Sequence, residues 1–394
     1  MKVLLIHNFY QSSSPSGEDV VFQNELKILE KNDIDVIKYT RHNDEIQKFG
    51  IYDKLGLPFK NIWSIETYRE IKKLIKKEKP DIAHFHNIWY LISPSAYYAC
   101  KDAGVPIVQT LHNFRIFCAN GLLLRNGKVC EACLNRAPWR SVLYGCYRGS
   151  HLCSIPIAMT EWTHQIVGTW KNVVNTYIAL TNFSKNKFIQ AGLQQDKIYV
   201  KPNFLTNPPE PDYSNNGYAI FIGRSSKEKG IDILIEAFKR LSISLKLIIV
   251  GSGPLKNKLE KTVKLENLSN IQFVCSIKHE QCIELLKKSS FLIVPSVCYE
   301  GFSVVICESF ACGKPVIASN LGAMAELVED GKTGLLFEPG NPEDLALKIK
   351  WMMENEDVCI EMGKNARKVF EEKYTGEKNF YISLKIYQNT LREK

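Results

Sequence analysis

Short apolar runs alternate along the chain with longer stretches in which apolar residues recur at the spacing of a helix. In the first half the runs predict buried strands at Val3–His7, Ile34–Tyr39, Asp81–His86, Pro106–Leu111, Tyr177–Leu180 and Lys197–Lys201. In the second half they predict strands at Tyr218–Ile222, Leu245–Val250, Asn270–Val274, Phe291–Pro295, Pro315–Ala318 and Gly334–Phe337. Helices are predicted between the strands, most clearly over 18–31, 61–79 and 230–241. Because strands that alternate with helices form parallel sheets covered by helices, the pattern predicts an α/β protein.

The alternation occurs in each half of the chain, which predicts two doubly wound α/β domains. A length of 394 residues also favours two domains over one. Prolines crowd the segment 202–211, and such crowding is typical of a linker. The expected limits are an N-terminal domain over 1–202 with an irregular insert over about 114–155, a linker over 203–216, a C-terminal domain over 217–372, and a helix over 373–394 that returns to the N-terminal domain.

Positive charge is concentrated in the first half of the chain. Residues 1–200 carry 25 Lys and Arg against 17 Asp and Glu, whereas the rest of the chain is nearly balanced within a total of +9. The first half is therefore expected to meet an acidic partner such as anionic phospholipid or a lipid diphosphate. No nucleic-acid partner is expected, because no recognised binding motif accompanies the charge. The N-terminal apolar run is too short for a signal peptide and no run is long enough to span a membrane, so we expect a cytoplasmic protein.

Two acidic residues flank a predicted helix start in the second half. Glu300 follows the strand Phe291–Pro295, and Glu308 lies more than a turn inside a helix that Ser303 is predicted to cap. The backbone N–H groups of Gly301, Phe302 and Ser303 then point outward at the positive end of the helix, where an anion such as a diphosphate binds well. The two carboxylates are placed to accept hydrogen bonds from hydroxyl groups of a sugar and a ribose. The alternative is two solvated acids on an amphipathic helix, but open α/β sheets bind their ligands at this end of a strand.

A second loop in the same half has the composition of a phosphate site. The segment Gly223–Gly230 follows a strand and opens a helix, and it contains two cations, Arg224 and Lys229. Gly223 allows a tight turn, and the cations lie where a phosphate would meet the helix N-terminus. An ordinary polar loop is the alternative for this segment taken alone.

These residues together resemble the retaining glycosyltransferases of family 4, in which two Rossmann-like domains face a central cleft in the arrangement called GT-B. The pairing of Glu300 and Glu308 with a Gly-Phe after the first acid, combined with Gly223-Arg224 and Lys229-Gly230, carries most of the specificity. The other matching segments are Gly17 in the loop Gln11–Gly17, Asp81–Asn87, Thr110–Asn113, Lys201–Phe204 and Gly331–Leu336. Ser16 stands before Gly17 where the family often has a second glycine.

The resemblance implies a role for each residue at the donor. Arg224 and Lys229 would neutralise the diphosphate, Glu308 would bind the ribose hydroxyls, and Glu300 would bind the hydroxyls of the transferred sugar. The N–H groups of residues 301–303 would hold sugar and phosphate oxygens.

From the first domain, the resemblance implies that Gly17 lets its loop approach the diphosphate and that His112 contacts the donor sugar. A histidine that merely ends a strand is the alternative for His112. No protein nucleophile is generally assigned in such enzymes: the acceptor hydroxyl attacks the face from which the leaving group departs. The sequence has no Asp-x-Asp cluster of the kind that holds Mg²⁺ in other transferases, so no metal is expected to be required for catalysis.

Four cysteines in the insert have a spacing that suits a structural metal. Cys118, Cys130, Cys133 and Cys146 would supply four thiolates to a tetrahedral zinc ion and so order the loop. Cys153 could replace one of them. Four reduced cysteines without metal are the alternative, and disulfides are not expected in a cytoplasmic protein.

Aromatic and basic residues mingle in the same insert. They are Arg136, Trp139, Arg140, Tyr144, Tyr147 and Arg148. With the lysine-rich stretch Lys72–Lys79 they suit a surface that rests on anionic lipid, although a solvated face is an equal alternative.

The sequence therefore predicts a retaining hexosyltransferase, cytoplasmic and peripheral to the membrane. Its donor would be a UDP- or GDP-sugar, and its acceptor a glycan, most simply a lipid-linked glycan of bacterial surface polysaccharide. Two alternatives within the same fold are an enzyme acting on a small soluble acceptor and a nucleotide-sugar epimerase. An alternative of another class is a non-catalytic nucleotide-sugar or glycan-binding module, against which the complete set of donor residues argues.

Overall fold

The computed structural model describes residues 1–12, 16–241, 245–275 and 277–392, without the side chains of residues 54 and 55. The middle of the predicted loop Gln11–Gly17 thus lies outside the described residues. The chain forms two compact units. The first unit contains residues 1–123, 131–206 and 376–394, and the second contains residues 124–130 and 207–375.

The first unit is built on a parallel sheet. The strands up to residue 200 are β1 (Lys2–Phe9), β2 (Asp35–His42), β3 (Ile82–Phe85), β4 (Ile107–Leu111), the hairpin strands β5 (Leu124–Arg125) and β6 (Lys128–Val129), β7 (Thr176–Ala179) and β8 (Ile198–Val200). All but the hairpin strands form one sheet in the order β2-β1-β3-β4-β7-β8. Val3 of β1 lies opposite Val36 on one side and Ile82 on the other, so β1 is where the strand order reverses. The hairpin belongs to the second unit.

Helices cover this sheet. They are α1 (Gly17–Lys31), α2 (Ile51–Ile62), α3 (Ile65–Glu78), α4 (Ser95–Asp102), α5 (Arg140–Leu143), α6 (His151–Ile166), α7 (Thr169–Asn172) and α8 (Asn182–Gln190). The single basic helix predicted over 61–79 is wrong in its start. The Ser64 hydroxyl accepts a hydrogen bond from the Thr67 N–H and so begins a new helix at Ile65, while the separate helix α2 ends at Ile62.

The C-terminal helix completes the first unit. The hydrophobic core of the unit joins Val3, Val108 and Ile178 of the sheet to Tyr387 of this helix. The ammonium group of Lys201 also donates hydrogen bonds to Glu25 of α1, at 2.5 Å, and to Asn379, at 3.0 Å.

The predicted linker over 203–216 is not wholly a linker. Phe204 and Leu205 are buried, and Phe204 belongs to the core of the first unit. The prolines that suggested a linker are followed by a segment that packs on the second unit, where the Asp212 N–H donates to the Cys312 carbonyl at 3.0 Å. The two ends of the predicted linker are therefore held in place, the first by apolar packing and the second by a backbone hydrogen bond.

The second unit repeats the architecture. Its strands are β9 (Tyr218–Ile222), β10 (Lys246–Val250), β11 (Ile271–Val274), β12 (Phe291–Val294), β13 (Val316–Ser319) and β14 (Gly334–Phe337), in the order β11-β10-β9-β12-β13-β14. Its helices are α9 (Ile231–Lys239), α10 (Lys256–Leu265), α11 (His279–Lys288), α12 (Val304–Ala311), α13 (Gly322–Leu327), α14 (Pro342–Glu354) and α15 (Glu356–Lys373), and α16 (Gly376–Arg392) is the C-terminal helix of the first unit. Every pairing in both six-stranded sheets is parallel, as predicted for an α/β protein.

Candidate active site

The candidate donor site lies where the strand order of the second sheet reverses. Strands β9 and β12 are neighbours, so the loops that follow them meet at the carboxyl edge of the sheet. Gly230 ends the first loop with a φ of +66°, and a Cβ atom there would lie 1.9 Å from the carbonyl oxygen of Pro295. Only glycine fits this position, and its close approach brings Lys229 beside Glu300.

Lys229 and Glu300 form a partly buried ion pair. The Lys229 Nζ lies 2.8 Å from Glu300 Oε1, and the Ser296 hydroxyl donates to the same oxygen at 2.6 Å. Only 10% of the Glu300 side chain is exposed, against 32% for Lys229. Burial alone would raise the pKa of Glu300, but the charge and hydrogen bond of Lys229, with the hydroxyls of Ser296 and Ser303, hold it below its usual value. Glu300 is therefore an ionised acceptor at neutral pH.

Glu308 is oriented by a histidine that sequence reasoning missed. Its Oε1 lies 2.7 Å from Nε2 of His279, the first residue of α11. The hydrogen bond to Glu308 raises the pKa of His279. His279 follows strand β11, so its place just after a parallel strand was the one available signal. Ser296, next to the predicted strand end, was also missed. Its partner Glu300 lies in a loop, where no helical or strand periodicity indicates which side chains meet.

The N-terminus of α12 offers unused backbone donors between the two acids. Ser303 occupies the N-cap position, as predicted, but its side chain makes no capping hydrogen bond, so that part of the prediction is wrong. Its hydroxyl assists Glu300 instead. In the described part of the chain the N–H groups of Phe302 and Ser303 donate to no acceptor. The Phe302 ring is buried and packs edge-on against Tyr374, with ring centroids 5.7 Å apart, which fixes the position of the residue that carries one of these N–H groups.

Arg224 stands apart from the Lys229–Glu300 pair. Its side chain is exposed and makes no ion pair with another described residue. The loop that carries it is fixed by neighbouring glycines: a Cβ at Gly251 would lie 2.1 Å from the Gly223 carbonyl, and one at Gly253 would lie 2.5 Å from the Ser225 carbonyl. The loops after β9 and β10 are thus packed backbone to backbone, which holds Arg224 at the same edge of the sheet as Lys229.

His112, in the first unit, is half-buried at the end of a row of histidines whose other members, His84 and His86, are buried. Its Nε2 lies 2.9 Å from Nδ1 of His86, and the two rings stack with centroids 5.1 Å apart. His84, next in the row, contacts Tyr387 and Thr110 through its two ring nitrogens. Burial lowers the pKa of His84 to about 4 and lowers those of His86 and His112 well below the usual value. His112 is therefore a neutral imidazole, suited to hydrogen bonding rather than to carrying charge.

A pocket in the first unit is lined by His112 and His86 and by charged groups. Asn113 Nδ2 donates to Glu18 Oε1 at 2.7 Å, and burial raises the pKa of Glu18. Three buried atoms have no hydrogen-bond partner among the residues that the structure describes: Glu18 Oε2, Arg115 Nε and His112 Nδ1. Such atoms are candidates to bind a ligand, and Glu18 and Arg115 were not predicted from the sequence.

Gly17 is not a loop residue in this structure. It is the first residue of α1, which Ser16 caps in a capping box with Asp19. A Cβ at Gly17 would meet no atom of the described residues within 4 Å. The backbone here therefore gives no steric reason for glycine, and the predicted approach of Gly17 to a diphosphate stays a prediction.

The predicted zinc site is not assembled. The described residues contain no group of three or more His, Cys, Asp or Glu side chains that could hold a metal ion. Cys118 is buried in a turn and its thiol contacts Asn120 Oδ1 at 3.1 Å, while Cys130 belongs to the other compact unit. The geometry does not support Cys118, Cys130, Cys133 and Cys146 as a ligand set, and metal analysis is the direct test.

The two parallel α/β units, each with a six-stranded sheet whose strand order reverses, have the architecture of the GT-B fold. Sucrose-phosphate synthase from Thermosynechococcus elongatus superposes with a TM-score of 0.71 over all of both chains, at 18% identity. The Anabaena protein Alr3699/HepE, solved in complex with UDP-glucose, superposes with a TM-score of 0.66 over 100% of this chain and 99% of its own, at 20% identity. These likenesses confirm the predicted fold.

Sequence comparison identifies the family. The model described as Glycosyl transferases group 1 matches residues 207–369, and that described as Glycosyltransferase Family 4 matches residues 16–206. The uncharacterized glycosyltransferase MJ1178 of Methanocaldococcus jannaschii is 30% identical over 83% of this chain and 89% of its own length. The capsular polysaccharide biosynthesis glycosyltransferase CapM of Staphylococcus aureus is 24% identical over 95% of this chain and 94% of its own. The chain belongs to the family 4 type of GT-B glycosyltransferases.

Proposed function

We propose that this glycosyltransferase is a retaining hexosyltransferase that moves a sugar from a nucleotide diphosphate donor to a lipid-linked glycan in bacterial surface polysaccharide synthesis. The observation that carries the proposal is the Lys229–Glu300 pair beside the unused N–H groups of Phe302 and Ser303, with Glu308 more than one helical turn further on. This arrangement offers a cation and backbone donors for a diphosphate and two carboxylates for hydroxyl groups.

Each donor residue has a role that its position supports. Lys229 has three N–H donors, of which one is directed at Glu300, so it can also donate to a phosphate oxygen. The exposed guanidinium of Arg224 supplies the second cation as negative charge grows on the leaving diphosphate. Glu308, held by His279 through one oxygen, keeps the other for ribose hydroxyls. Glu300 accepts from the transferred sugar.

The transfer itself needs no protein nucleophile in this proposal. The acceptor hydroxyl attacks the anomeric carbon on the face that the diphosphate leaves, the bond from that carbon to the phosphate oxygen breaks, and the acceptor proton passes to the departing phosphate. Neutral His112 orients the donor sugar by a hydrogen bond. The Anabaena structures hold UDP or UDP-glucose, which supports UDP as the nucleotide, and a GDP-sugar is the alternative. A lipid-linked acceptor would place the enzyme at the cytoplasmic face of the membrane.

A small soluble acceptor is the second candidate. One relative, 24% identical over 82% of this chain, is the N-acetyl-alpha-D-glucosaminyl L-malate synthase of Bacillus anthracis, whose name gives malate as an acceptor. CapM and the poly(ribitol-phosphate) alpha-N-acetylglucosaminyltransferase of Staphylococcus aureus support a polymeric acceptor instead.

The test begins with a thermal-shift panel of UDP- and GDP-sugars, followed by transfer assays with the stabilising donor. Retention is read from the anomeric configuration of the product by NMR. Arg224→Ala should lower kcat/KM by roughly 10²-fold or more, because it removes charge stabilisation from the leaving group. A protein that neither binds nor hydrolyses any nucleotide sugar would be a non-catalytic member of the fold, and the proposal would be wrong.

A further inference from the structure

Helix α6 turns an apolar stripe toward solvent. Its exposed large side chains are Leu152, Ile155, Met159, Trp162 and Ile166, each between 39% and 78% exposed. They recur every three or four residues and so lie on one face of the helix. The stripe is roughly 20 Å long, because a helix rises about 1.5 Å per residue. A surface helix usually presents polar groups on this face, so the stripe needs a partner.

The opposite face of α6 is anchored in the first unit. Thr160 Oγ1 accepts from Asn61 of α2 at 3.0 Å, and His164 Nε2 lies 2.9 Å from the Ile62 carbonyl. At the other end, His151 Nδ1 lies 2.8 Å from the Val142 carbonyl of α5. These hydrogen bonds hold α2, α5 and α6 together, so the outward stripe is a fixed surface rather than a frayed segment.

Helices α2 and α5 extend the apolar surface. Fourteen of the 22 exposed large apolar side chains in the described part of the chain lie within 51–65 or 139–167. Because single exposed apolar residues scatter at random on ordinary surfaces, this concentration indicates an interaction face. Besides the α6 stripe, the face includes Ile51, Tyr52, Phe59, Trp139, Leu143 and Tyr144. We call these residues and the α6 stripe the apolar face.

The charges around the apolar face are mainly basic. The one charged residue of α6, Glu161, is buried. Arg136 and Arg148 are exposed on either side of α5. The one exposed acid of α2, Asp53, is neutralised by Lys60 at 3.2 Å. A second copy of this chain would bring the same cations against one another, whereas an anionic surface would complement them.

We propose that the apolar face docks on a bilayer of anionic phospholipid, with α6 lying in the headgroup region. Its Leu, Ile and Met side chains enter the acyl boundary, Trp and Tyr lie at the interface, and Arg136 and Arg148 contact lipid phosphates. No described helix is long and apolar enough to span the membrane, so docking of this kind is peripheral. The docking face rests on the proposed function only through the lipid-linked acceptor, and its geometry is independent of the donor site.

The experiment is vesicle sedimentation of the full chain with phosphatidylcholine vesicles that contain or lack phosphatidylglycerol. The wild type should bind the anionic vesicles and lose binding in high salt. Trp162→Glu with Ile166→Glu should weaken binding at least roughly tenfold, because two inserting side chains become charged. Arg136→Ser with Arg148→Ser should weaken it roughly 30-fold, at about tenfold per 1.4 kcal/mol and about 1 kcal/mol per cation.

A matched control is Leu265→Glu with Leu347→Glu, which alters two apolar residues of the second unit that are at least as exposed as Trp162 and Ile166. It should leave vesicle binding unchanged. Melting temperature and UDP affinity of every variant should match the wild type, which separates docking from folding and from the donor site. Wild-type binding that survives both double substitutions would overturn the proposal. So would a wild-type dimer, with no affinity for vesicles, that the Trp162 and Ile166 substitutions convert to a monomer: the face would then be a protein interface.

Discussion

Replacing Lys229 by methionine separates the structural from the chemical role of the Lys229–Glu300 pair. The substitution keeps an unbranched side chain only one atom shorter and removes the charge. Glu300 would retain only the hydroxyl groups of Ser296 and Ser303 as partners while its side chain stays 10% exposed. Leaving one member of a buried ion pair without its partner costs about 3–5 kcal/mol. Because a third of the Lys229 side chain is exposed, we expect the lower figure of about 1–3 kcal/mol in the free energy of unfolding.

The loss of stability should depend on pH in a defined direction. In the wild type the lowered pKa of Glu300 gives a stabilisation that is present above its ordinary value of 4.5 and is lost as the pH falls through the lowered value. In Lys229→Met, burial instead penalises the carboxylate, so the penalty appears where Glu300 ionises. The difference between the two proteins in urea unfolding should therefore shrink as the pH falls toward 4.5.

Turnover should respond more strongly than stability. We expect kcat/KM to fall roughly 10²- to 10³-fold, about 3–4 kcal/mol, since one cation facing the leaving diphosphate is lost. Adding Glu300→Gln should restore most of the stability, because no charge is then left buried, but not the activity. Lys239→Met removes a lysine ion pair from the same unit, away from the site, and should leave kcat/KM unchanged. If Lys229→Met lost stability but kept turnover within threefold of the wild type, the pair would be structural and the donor assignment wrong.

Three further predictions concern neighbouring groups. Glu308→Gln should weaken the affinity for bare UDP in calorimetry, whereas Glu300→Gln should chiefly alter turnover and sugar choice; the opposite order would reverse the two roles. The hydrogen bond to Glu308 raises the pKa of His279, so the stabilisation that it gives is present below pH 6.5 and is lost as the pH rises through the raised pKa. His279→Gln should therefore lower the free energy of unfolding in urea more at pH 6 than at pH 9. An equal loss at both pH values would contradict this. Protein purified without chelator should contain well under one equivalent of zinc by mass spectrometry, because no ligand set is assembled in the described residues; one equivalent would restore the original interpretation of the four cysteines.

The strands were predicted well because both of their faces are buried. Tyr218–Ile222 and Gly334–Phe337 have the predicted limits, and the other ten sheet strands are shifted at their ends by up to three residues. A parallel strand covered by helices is a short apolar run bounded by polar or turn-forming residues, which a sequence displays directly. The donor residues were found for a related reason: they follow such strands at once, where ligands bind in open sheets.

The helices that were missed share one physical feature. Three apolar residues of α2 are exposed to solvent: Ile51, Tyr52 and Phe59. Helix α6 carries apolar residues on two faces, one buried and one exposed. The usual period of one buried and one polar face is therefore weak in both helices, and the start of α6 was assigned to an irregular insert. Three residues were missed because their partners are distant in sequence or lie on other elements: His279, Glu18 and Arg115. The spacing of residues along one segment does not predict such contacts.

The exposed apolar side chains of α2 and α6 also suggest that the two units bind different substrates. The first unit carries most of the net positive charge and the apolar face, both of which suit an acceptor attached to anionic lipid. The second unit is nearly neutral and carries the Lys229–Glu300 pair and Glu308, which suit a soluble nucleotide. A helix with an outward apolar stripe lowers solubility, and a cytoplasmic enzyme with a soluble acceptor gains nothing from it. Substitutions in the apolar face should therefore lower transfer to a membrane-embedded acceptor while leaving donor hydrolysis unchanged, and those at Glu308 should lower both.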